Sequence, residues 1–278
     1  MRIRFMISGV WLLAAGWLAM SGGCAGNPQS RQTLNECEGA LEAADQAANR
    51  LDFAAAAQQY DRAIMAADQV VAAGVAADQA EAHFLHGRAI EDRRKPDAAA
   101  TAADLAAARH DYALALSEKP SLPLEARLHG QLANVAYFQE DFATALQQWT
   151  LAYAQLEDPQ SKPWVLYRMG LCQQRLGRFA DADRTFVMVQ EQYPGTEVAA
   201  RAKAHQGVRG FYVQVGAFSQ AEDVAKAAAA VTAAGSIPQQ AEEKGLTIVR
   251  TSGVPSYALA VALRSKLAAH YPDARIMP

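Results

Sequence analysis

The chain has little of what catalytic or disulfide-stabilised proteins need. It has only three cysteines in 278 residues, and no CxxC or HxxxH spacing occurs, so neither a disulfide framework nor a metal site is predicted. No Gly-x-Ser-x-Gly elbow, P-loop or HExxH motif accompanies its six histidines. These absences indicate a non-enzymatic protein that uses no cofactor and no metal.

The isolated histidines and cysteines have simpler interpretations. His83 and His86 are three residues apart and share a helix face, but no third ligand is near, so a packing or surface role is predicted. Cys37 and Cys172 lie in different repeats and would pair only if their Cα atoms came within about 7 Å. We expect both to be small buried residues.

The chain also lacks a strong charge of either sign. Its formal net charge is −3 and its sequence pI is about 6.1, which argues against nucleic acid as a partner. Residues 209–211 (Arg-Gly-Phe) mimic the start of an RNA-recognition signature, which continues with a second stacking aromatic inside a central strand. Val213 and Val215 follow here instead, so RNA binding is not predicted.

One long apolar run is present, at the N-terminus. Residues 5–20 follow Arg2 and Arg4 and precede a small-residue segment, residues 21–27. The run is shorter than the roughly 20 apolar residues of a comfortable membrane span. A basic start, a short apolar core and a small-residue cleavage zone are typical of a secretory signal.

Cys24 makes the export signal more specific. Gly23-Cys24 resembles the end of a bacterial lipobox, although Ser21 stands where that motif has an aliphatic residue. The resemblance predicts lipidation of Cys24 and a membrane-anchored lipoprotein in the cell envelope, facing the periplasm. Ordinary cleavage nearby or an uncleaved anchor are the alternatives.

The middle of the chain, residues 37–200, repeats one pattern of large and small residues. Spacings of three and four place the members of each copy on one helix face, and the last three copies are 37 residues apart. The copies are Phe53, Ala56, Tyr60 and Ala63; Leu105, Ala108, Tyr112 and Ala115; Phe142, Ala145, Trp149 and Ala152; and Phe179, Ala182, Phe186 and Val189. Such a period predicts a helical solenoid.

The fourth copy resembles the tetratricopeptide (TPR) repeat. The matching residues are Leu166, Met169, Gly170, Gly177, Phe179, Ala182, Phe186 and Pro194. We expect small residues such as Gly170 and Ala182 to lie against each other where paired helices approach closely. The resemblance implies a concave groove that binds a protein partner.

The last seventy residues change period. Residues 210–218 alternate apolar and polar as in a half-buried strand, and Ser219 is a predicted helix N-cap. A strand at 246–251, a helix from 255 to about 270 and a strand at 274–277 follow. Residues 212–218 (Tyr-Val-Gln-Val-Gly-Ala-Phe) and 268–274 (Ala-Ala-His-Tyr-Pro-Asp-Ala) resemble a SPOR domain.

This resemblance implies a small βαββαβ fold with an antiparallel sheet. It also implies a ligand, the peptidoglycan glycan strand stripped of its stem peptides (denuded glycan). Val213 and Val215 would face the helices, because alternate strand residues face opposite sides. The residues expected on the open face are Tyr212, Gln214, Gly216, Ile248, Arg250 and Ser252.

Five of these residues are the predicted glycan-binding set: Tyr212, Gln214, Ile248, Arg250 and Ser252. Gln214 and Arg250 match a strand glutamine and a strand arginine of the family. Amide and guanidinium groups suit sugar hydroxyls and carbonyl oxygens, and a tyrosine ring can stack on a sugar.

Two departures from the family pattern leave other specificities open. Residues 252–254 are Ser-Gly-Val where the family has Gly-Pro-Phe, and the predicted second strand, near residues 236–240, is short and interrupted by Pro238. Glu242 and Glu243 are predicted to lie in a turn. A modified specificity or a lost glycan site is therefore an alternative.

The predicted organisation has four parts: a signal peptide at 1–24, a linker at 25–36, TPR-like helical repeats at 37–208 and a SPOR domain at 209–278. The predicted fold is a helical solenoid followed by a small α+β domain. We expect an adaptor for cell division or wall remodelling. The alternatives are a TPR assembly or secretion factor whose degenerate SPOR-like domain binds protein, and an accessory of a wall hydrolase.

Overall fold

The computed structural model describes residues 27–93 and 98–278. The predicted signal peptide and Cys24 lie outside these ranges. No helix within them combines the length and the apolar character that crossing a membrane requires. The chain divides into two compact units, Met1–Val135 and Ala136–Pro278.

The first unit consists of consecutive packed helices. They are α1 (Pro28–Asn49), α2 (Phe53–Ala73), α3 (Ala76–Asp92), α4 (Ala98–Ser117) and α5 (Leu122–Phe138), the last of which continues into the second unit. Each of α1, α2 and α3 packs against the helix that follows it. This is the predicted TPR-like arrangement of helix pairs.

The second unit combines helices with a four-stranded sheet. Its helical part contains α6 (Phe142–Gln155), α7 (Ser161–Arg175), α8 (Phe179–Gln192) and α9 (Glu197–His205). The rest is β1 (Tyr212–Phe218), α10 (Ala221–Ala233), β2 (Pro238–Glu243), β3 (Leu246–Thr251), α11 (Tyr257–Leu267) and β4 (Arg275–Met277). The predicted fold class, a TPR-like helical region followed by a small α+β domain, is confirmed.

The repeated sequence pattern marks the second helix of each pair. Helices α2, α6 and α8 begin at the aromatic residue that opens each copy. The side chain of Asp52 caps α2 by accepting from the Ala55 N–H at 3.1 Å, and Asp141 caps α6 through the Thr144 N–H at the same distance. The later pattern positions are buried: Ala56, Tyr60, Ala63, Ala108, Tyr112, Ala115, Ala145, Trp149, Ala152, Ala182, Phe186 and Val189.

A glycine–aromatic contact sets the spacing within helix pairs in both units. A Cβ built on Gly170 would lie 2.5 Å from Phe186 Cε1, and one on Gly87 would lie 2.7 Å from Tyr112 Cε1. The three atoms nearest to a Cβ on Gly170 all belong to Phe186, a neighbour that the sequence analysis did not name for this glycine. The missing side chain makes room for a fully buried ring.

The two neighbouring histidines join helices of the first unit. His86 Nδ1 lies 2.7 Å from Asp111 of α4, and Nε2 lies 3.4 Å from Asp68 of α2. The hydrogen bond to Asp111 is the main cause of a raised pKa of His86. His83 Nδ1 also approaches Asp111, at 4.0 Å. Within the described ranges, no group of three or more His, Cys, Asp or Glu side chains is arranged to hold a metal ion.

Cys37 and Cys172 are buried, free thiols. The Cys37 thiol donates to the Ala63 carbonyl oxygen at 3.2 Å. Burial raises the pKa of both thiols to about 12, which makes them inert packing residues.

The sheet of the second unit is antiparallel, with the strand order β2-β3-β1-β4. Helices α10 and α11 pack on one face. Val213, Val249 and Thr251 point to that side and are 0% exposed. The opposite face is open in this unit.

Two sequence expectations for this domain were wrong. Helix α10 begins one residue after Gln220, which is the N-cap and makes no side-chain cap hydrogen bond, so Ser219 is not the cap. Strand β2 continues past residue 240 to Glu243, and both glutamates predicted in a turn belong to it. Pro238 is tolerated because it is the first residue of an edge strand.

Candidate functional site

Four polar residues form a row across the open face of the sheet. Antiparallel pairing places Gln239 of β2 opposite Arg250 of β3, Arg250 opposite Gln214 of β1, and Gln214 opposite Arg275 of β4. Residues that pair directly share a face and lie about 5 Å apart. We call Gln239, Arg250, Gln214 and Arg275 the polar row.

Arg250 is held in place by an aromatic ring. Its guanidinium carbon lies 4.7 Å from the centre of the Tyr212 ring, a cation–π distance. Its Nε is buried and has no hydrogen-bond partner within the described ranges. A buried donor without a partner is costly unless a ligand or water satisfies it. Arg250 is therefore both positioned and unsatisfied.

Gln214 lies at the centre of the row, between two arginines. Its side chain is half-buried, and its amide makes no side-chain hydrogen bond within the described part of the chain. An amide offers two donors and one acceptor oxygen. Gln214 is thus available to a ligand that carries both hydroxyl and carbonyl groups.

Apolar side chains lie on both sides of the polar row. On one side Tyr212 pairs with Met277. On the other, Ile248 pairs with Ala217 and Ala241 and is half-buried. The face can therefore bind a ligand that combines apolar surfaces with many oxygens, as sugar rings do.

The family model of the SPOR domain matches residues 207–278. These residues form a SPOR domain. SPOR domains are peptidoglycan-binding modules, and both SPOR and TPR modules are typically non-catalytic. The match covers all four strands and both helices of the small domain.

Comparison with solved structures finds two proteins described as TPR proteins, and MamA. TTC0263, a thermophilic TPR protein of Thermus thermophilus, is 16% identical with a TM-score of 0.42, over 61% of this chain and 98% of that one. YrrB, described as a TPR protein with an unusual peptide-binding site, is 17% identical with a TM-score of 0.37, over 64% and 81%. MamA is 14% identical with a TM-score of 0.39, over 63% and 85%. No curated protein matches the chain.

Four of the five predicted glycan-binding residues differ from the fifth, Ser252, in their surroundings. Tyr212, Gln214, Ile248 and Arg250 lie on the open face, as expected from the strand alternation. Ser252 continues the pairing of β3 with the residues before β2: its N–H donates to the Ile237 carbonyl oxygen at 2.7 Å, and its hydroxyl lies 3.0 Å from that of Ser236. In this structure, the Ser252 hydroxyl links two segments of the domain.

Gly216 is not on the open face of the SPOR domain. A β-bulge between Gln214 and Gly216 shifts the register, so Gly216 pairs with Val249, which is buried under the helices. Ala217 then takes the place on the open face opposite Ile248. The expectation for Gly216 was wrong because strict alternation does not survive a bulge.

Sequence reasoning missed two members of the polar row, Gln239 and Arg275. Both side chains are exposed. The last strand was predicted, but its register against β1 was not, so nothing linked Arg275 to Gln214. Gln239 was missed because Pro238 made the second strand look interrupted. Aligning the predicted last strand with β1 would have placed Arg275 opposite Gln214. This alignment was the signal available in the sequence.

Proposed function

We propose that the chain is a non-enzymatic adaptor of the bacterial cell envelope that acts in cell division or wall remodelling. Its SPOR domain binds denuded glycan strands through the polar row. Its TPR-like helices bind a protein partner. A lipid on Cys24 anchors it to a membrane with the domains facing the periplasm.

The observation that carries the glycan proposal is the unsatisfied Arg250 beside Tyr212, in register with Gln214 and Arg275. Glycan offers hydroxyl, N-acetyl and lactyl oxygens to guanidinium and amide donors. Removal of the stem peptide converts each lactyl amide into a carboxylate, and guanidinium groups bind carboxylates more strongly than neutral oxygens. Two arginines in one row therefore favour denuded over intact glycan.

Half-buried charged side chains on the first unit support the protein-binding part of the proposal. Glu38 of α1 lies among Glu81 and Arg88 of α3 and Arg127 of α5. Burial, and then the like charge of Glu81, raise the pKa of Glu38, while the two arginines oppose that rise. Arg127 also stacks on the Phe84 ring at 4.4 Å. Charged and aromatic groups held together in this way suit an extended peptide that carries charges of both signs.

Retention on cell-wall sacculi tests the proposed function. The purified protein should sediment with amidase-treated sacculi and remain largely in the supernatant with untreated sacculi, because only treatment exposes lactyl carboxylates. Muramidase-digested sacculi, which contain no long glycan strands, are the control for trapping. Equal retention on treated and untreated sacculi would favour the alternative in which the SPOR domain binds protein.

The anchor has a separate test. Cys24→Ser should move the protein from the detergent phase to the aqueous phase in a detergent partition experiment, or leave it uncleaved, because the thiol that accepts the lipid is gone. Mass spectrometry of the N-terminal peptide should show an acyl mass on Cys24 in the wild type only. Unchanged partitioning together with unchanged mass would contradict lipidation. Stable anchoring needs more than one acyl chain.

A further inference from the structure

Arg175, the last residue of α7, lies among three aromatic rings from three different elements. Its guanidinium carbon is 5.0 Å from the ring centres of Tyr137 of α5 and Phe142 of α6, and 4.7 Å from that of Tyr257 of α11. The first two rings belong to the helical repeats and the third belongs to the SPOR domain. Arg175 therefore joins the two parts of the second unit.

Hydrogen bonds continue this contact. Arg175 Nη1 donates to the Tyr257 hydroxyl at 2.9 Å, and that hydroxyl donates to Glu140 Oε1 at 3.1 Å. Arg264 of α11 approaches the same Glu140 oxygen at 3.5 Å. Burial raises the pKa of Tyr257, which keeps its hydroxyl protonated and able to donate. Charge-assisted bonds of this kind are stronger than neutral ones.

A second group of contacts lies at the connection between α9 and β1. Arg209 Nη2 is 2.6 Å from Asp183 of α8, and the Gly207 N–H donates to Asp183 at 2.8 Å. Burial acts to raise the pKa of Asp183, but these two hydrogen bonds outweigh it, and that pKa is lowered. The six residues between α9 and β1 are thus fastened to the repeats and do not form a free linker.

Aromatic residues of the SPOR domain complete the contact. Phe211 is 4% exposed and Tyr257 is 8% exposed. The Phe211 ring lies 6.1 Å from that of Phe179 of α8, and the Tyr257 ring lies 5.1 Å from that of Phe142. Tyr257 comes from a helix on the covered side of the sheet, so this packing leaves the polar row accessible.

We propose that these contacts, which we call the Arg175 clamp, hold the SPOR domain and the last helical repeats as one rigid body. The open face of the sheet then has a fixed orientation relative to α7 and α8. A partner bound to α7 or α8 would be held at a constant distance from any ligand on the polar row. This inference does not depend on what the polar row binds.

Distance measurement between two spin labels tests the clamp in the full-length protein. Labels at Met188→Cys on α8 and Lys244→Cys in the β2–β3 turn occupy exposed positions in the two parts. Cys24→Ser is included throughout, and Cys37 and Cys172 are fully buried and therefore out of reach of the label. Pulsed electron–electron double resonance should give one narrow distribution of the distance between the two labels.

Arg175→Ala should broaden this distance distribution to several times its original width. The substitution removes the guanidinium that contacts rings of both the helical repeats and the SPOR domain. Trypsin cleavage after Lys203 and Arg209 should accelerate at least about tenfold, since cleavage follows the population of the opened state. Arg178→Ala, an exposed arginine outside the clamp, is the matched control and should change neither measurement.

Tyr257→Phe decides the question if Arg175→Ala does not fold. It keeps the ring but removes the hydroxyl that bridges Arg175 and Glu140, and it should raise the cleavage rate with unchanged helical content by circular dichroism. A broad distribution in the labelled parent, or identical widths and cleavage rates in the parent and both clamp variants, would overturn the proposal. Sacculus retention by the parent is a separate measurement, so failure of one proposal is distinguishable from failure of the other.

Discussion

Replacing both Gln214 and Arg250 by alanine should remove retention on amidase-treated sacculi while the SPOR domain stays folded. The two side chains supply a central amide and a guanidinium with an unsatisfied Nε to the polar row. A hydrogen bond to a charged group contributes about 1.5–3 kcal/mol and a neutral one about 0.5–1.5 kcal/mol. Affinity should therefore fall roughly 30-fold or more.

The control removes one amide and one cationic side chain from positions outside the polar row. Gln240 is exposed and pairs with the buried Val249, and Lys244 lies in the β2–β3 turn. Gln240→Ala with Lys244→Ala should bind like the wild type. Arg250→Lys should recover only part of the binding, since an ammonium group lacks the planar fork of donors. Undiminished binding by the Gln214/Arg250 double variant would mean that the glycan binds elsewhere.

Gly170→Ala should destabilise the second unit, although alanine is the better helix former. The new Cβ would lie 2.5 Å from Phe186 Cε1, and Phe186 is fully buried. Overpacking of this kind costs about 1–3 kcal/mol. A thermal melt should show a midpoint lowered by roughly 2–12 °C.

Gly130 supplies the opposite case. It also lies inside a helix, but a Cβ added there meets no atom within 4 Å. Gly130→Ala should therefore stabilise its own unit by about 0.5–1 kcal/mol. Gly170→Ala combined with Phe186→Leu should recover part of the loss, because a smaller, flexible side chain can move aside. A Gly170→Ala protein as stable as the wild type would contradict the packing described here.

The helical repeats were predictable because one physical requirement recurs. Each helix pair needs a small residue where backbones approach and a large one that fills the remaining space, as Gly87 with Tyr112 and Gly170 with Phe186 show. Such a requirement leaves a fixed spacing in the sequence. The specific partner of Gly170 was less predictable, since Ala182 and Phe186 lie on the same helix face.

The SPOR sheet was predictable in its strands but not in its register. Alternation placed Tyr212, Gln214 and Arg250 correctly, whereas the bulge at residues 214–216 moved Gly216 to the other face. A bulge adds one residue without changing composition, so no local pattern revealed it. The alternation therefore gave the open-face positions of β1 and β3, and it missed Gln239 of β2 and Arg275 of β4, because strand pairing decides which residues lie beside them.

The Arg175 clamp had no sequence signal at all. Arg175 and Tyr257 are 82 positions apart, and neither belongs to a motif that names the other. A stacked arginine depends on three rings that meet only after both parts have folded. Contacts between modules follow from surface complementarity, which a repeat pattern does not encode.

The edge strand β2 affects whether two molecules can associate through their sheets. An uncovered strand edge offers unpaired N–H and C=O groups to a neighbouring chain, which is a route to fibres. Here Pro238 removes one donor at the start of that edge, and Glu242 and Glu243 place two acidic side chains near its end. Like charges on two such edges repel each other. Edge-to-edge pairing of two copies through β2 is therefore disfavoured, even where copies lie side by side.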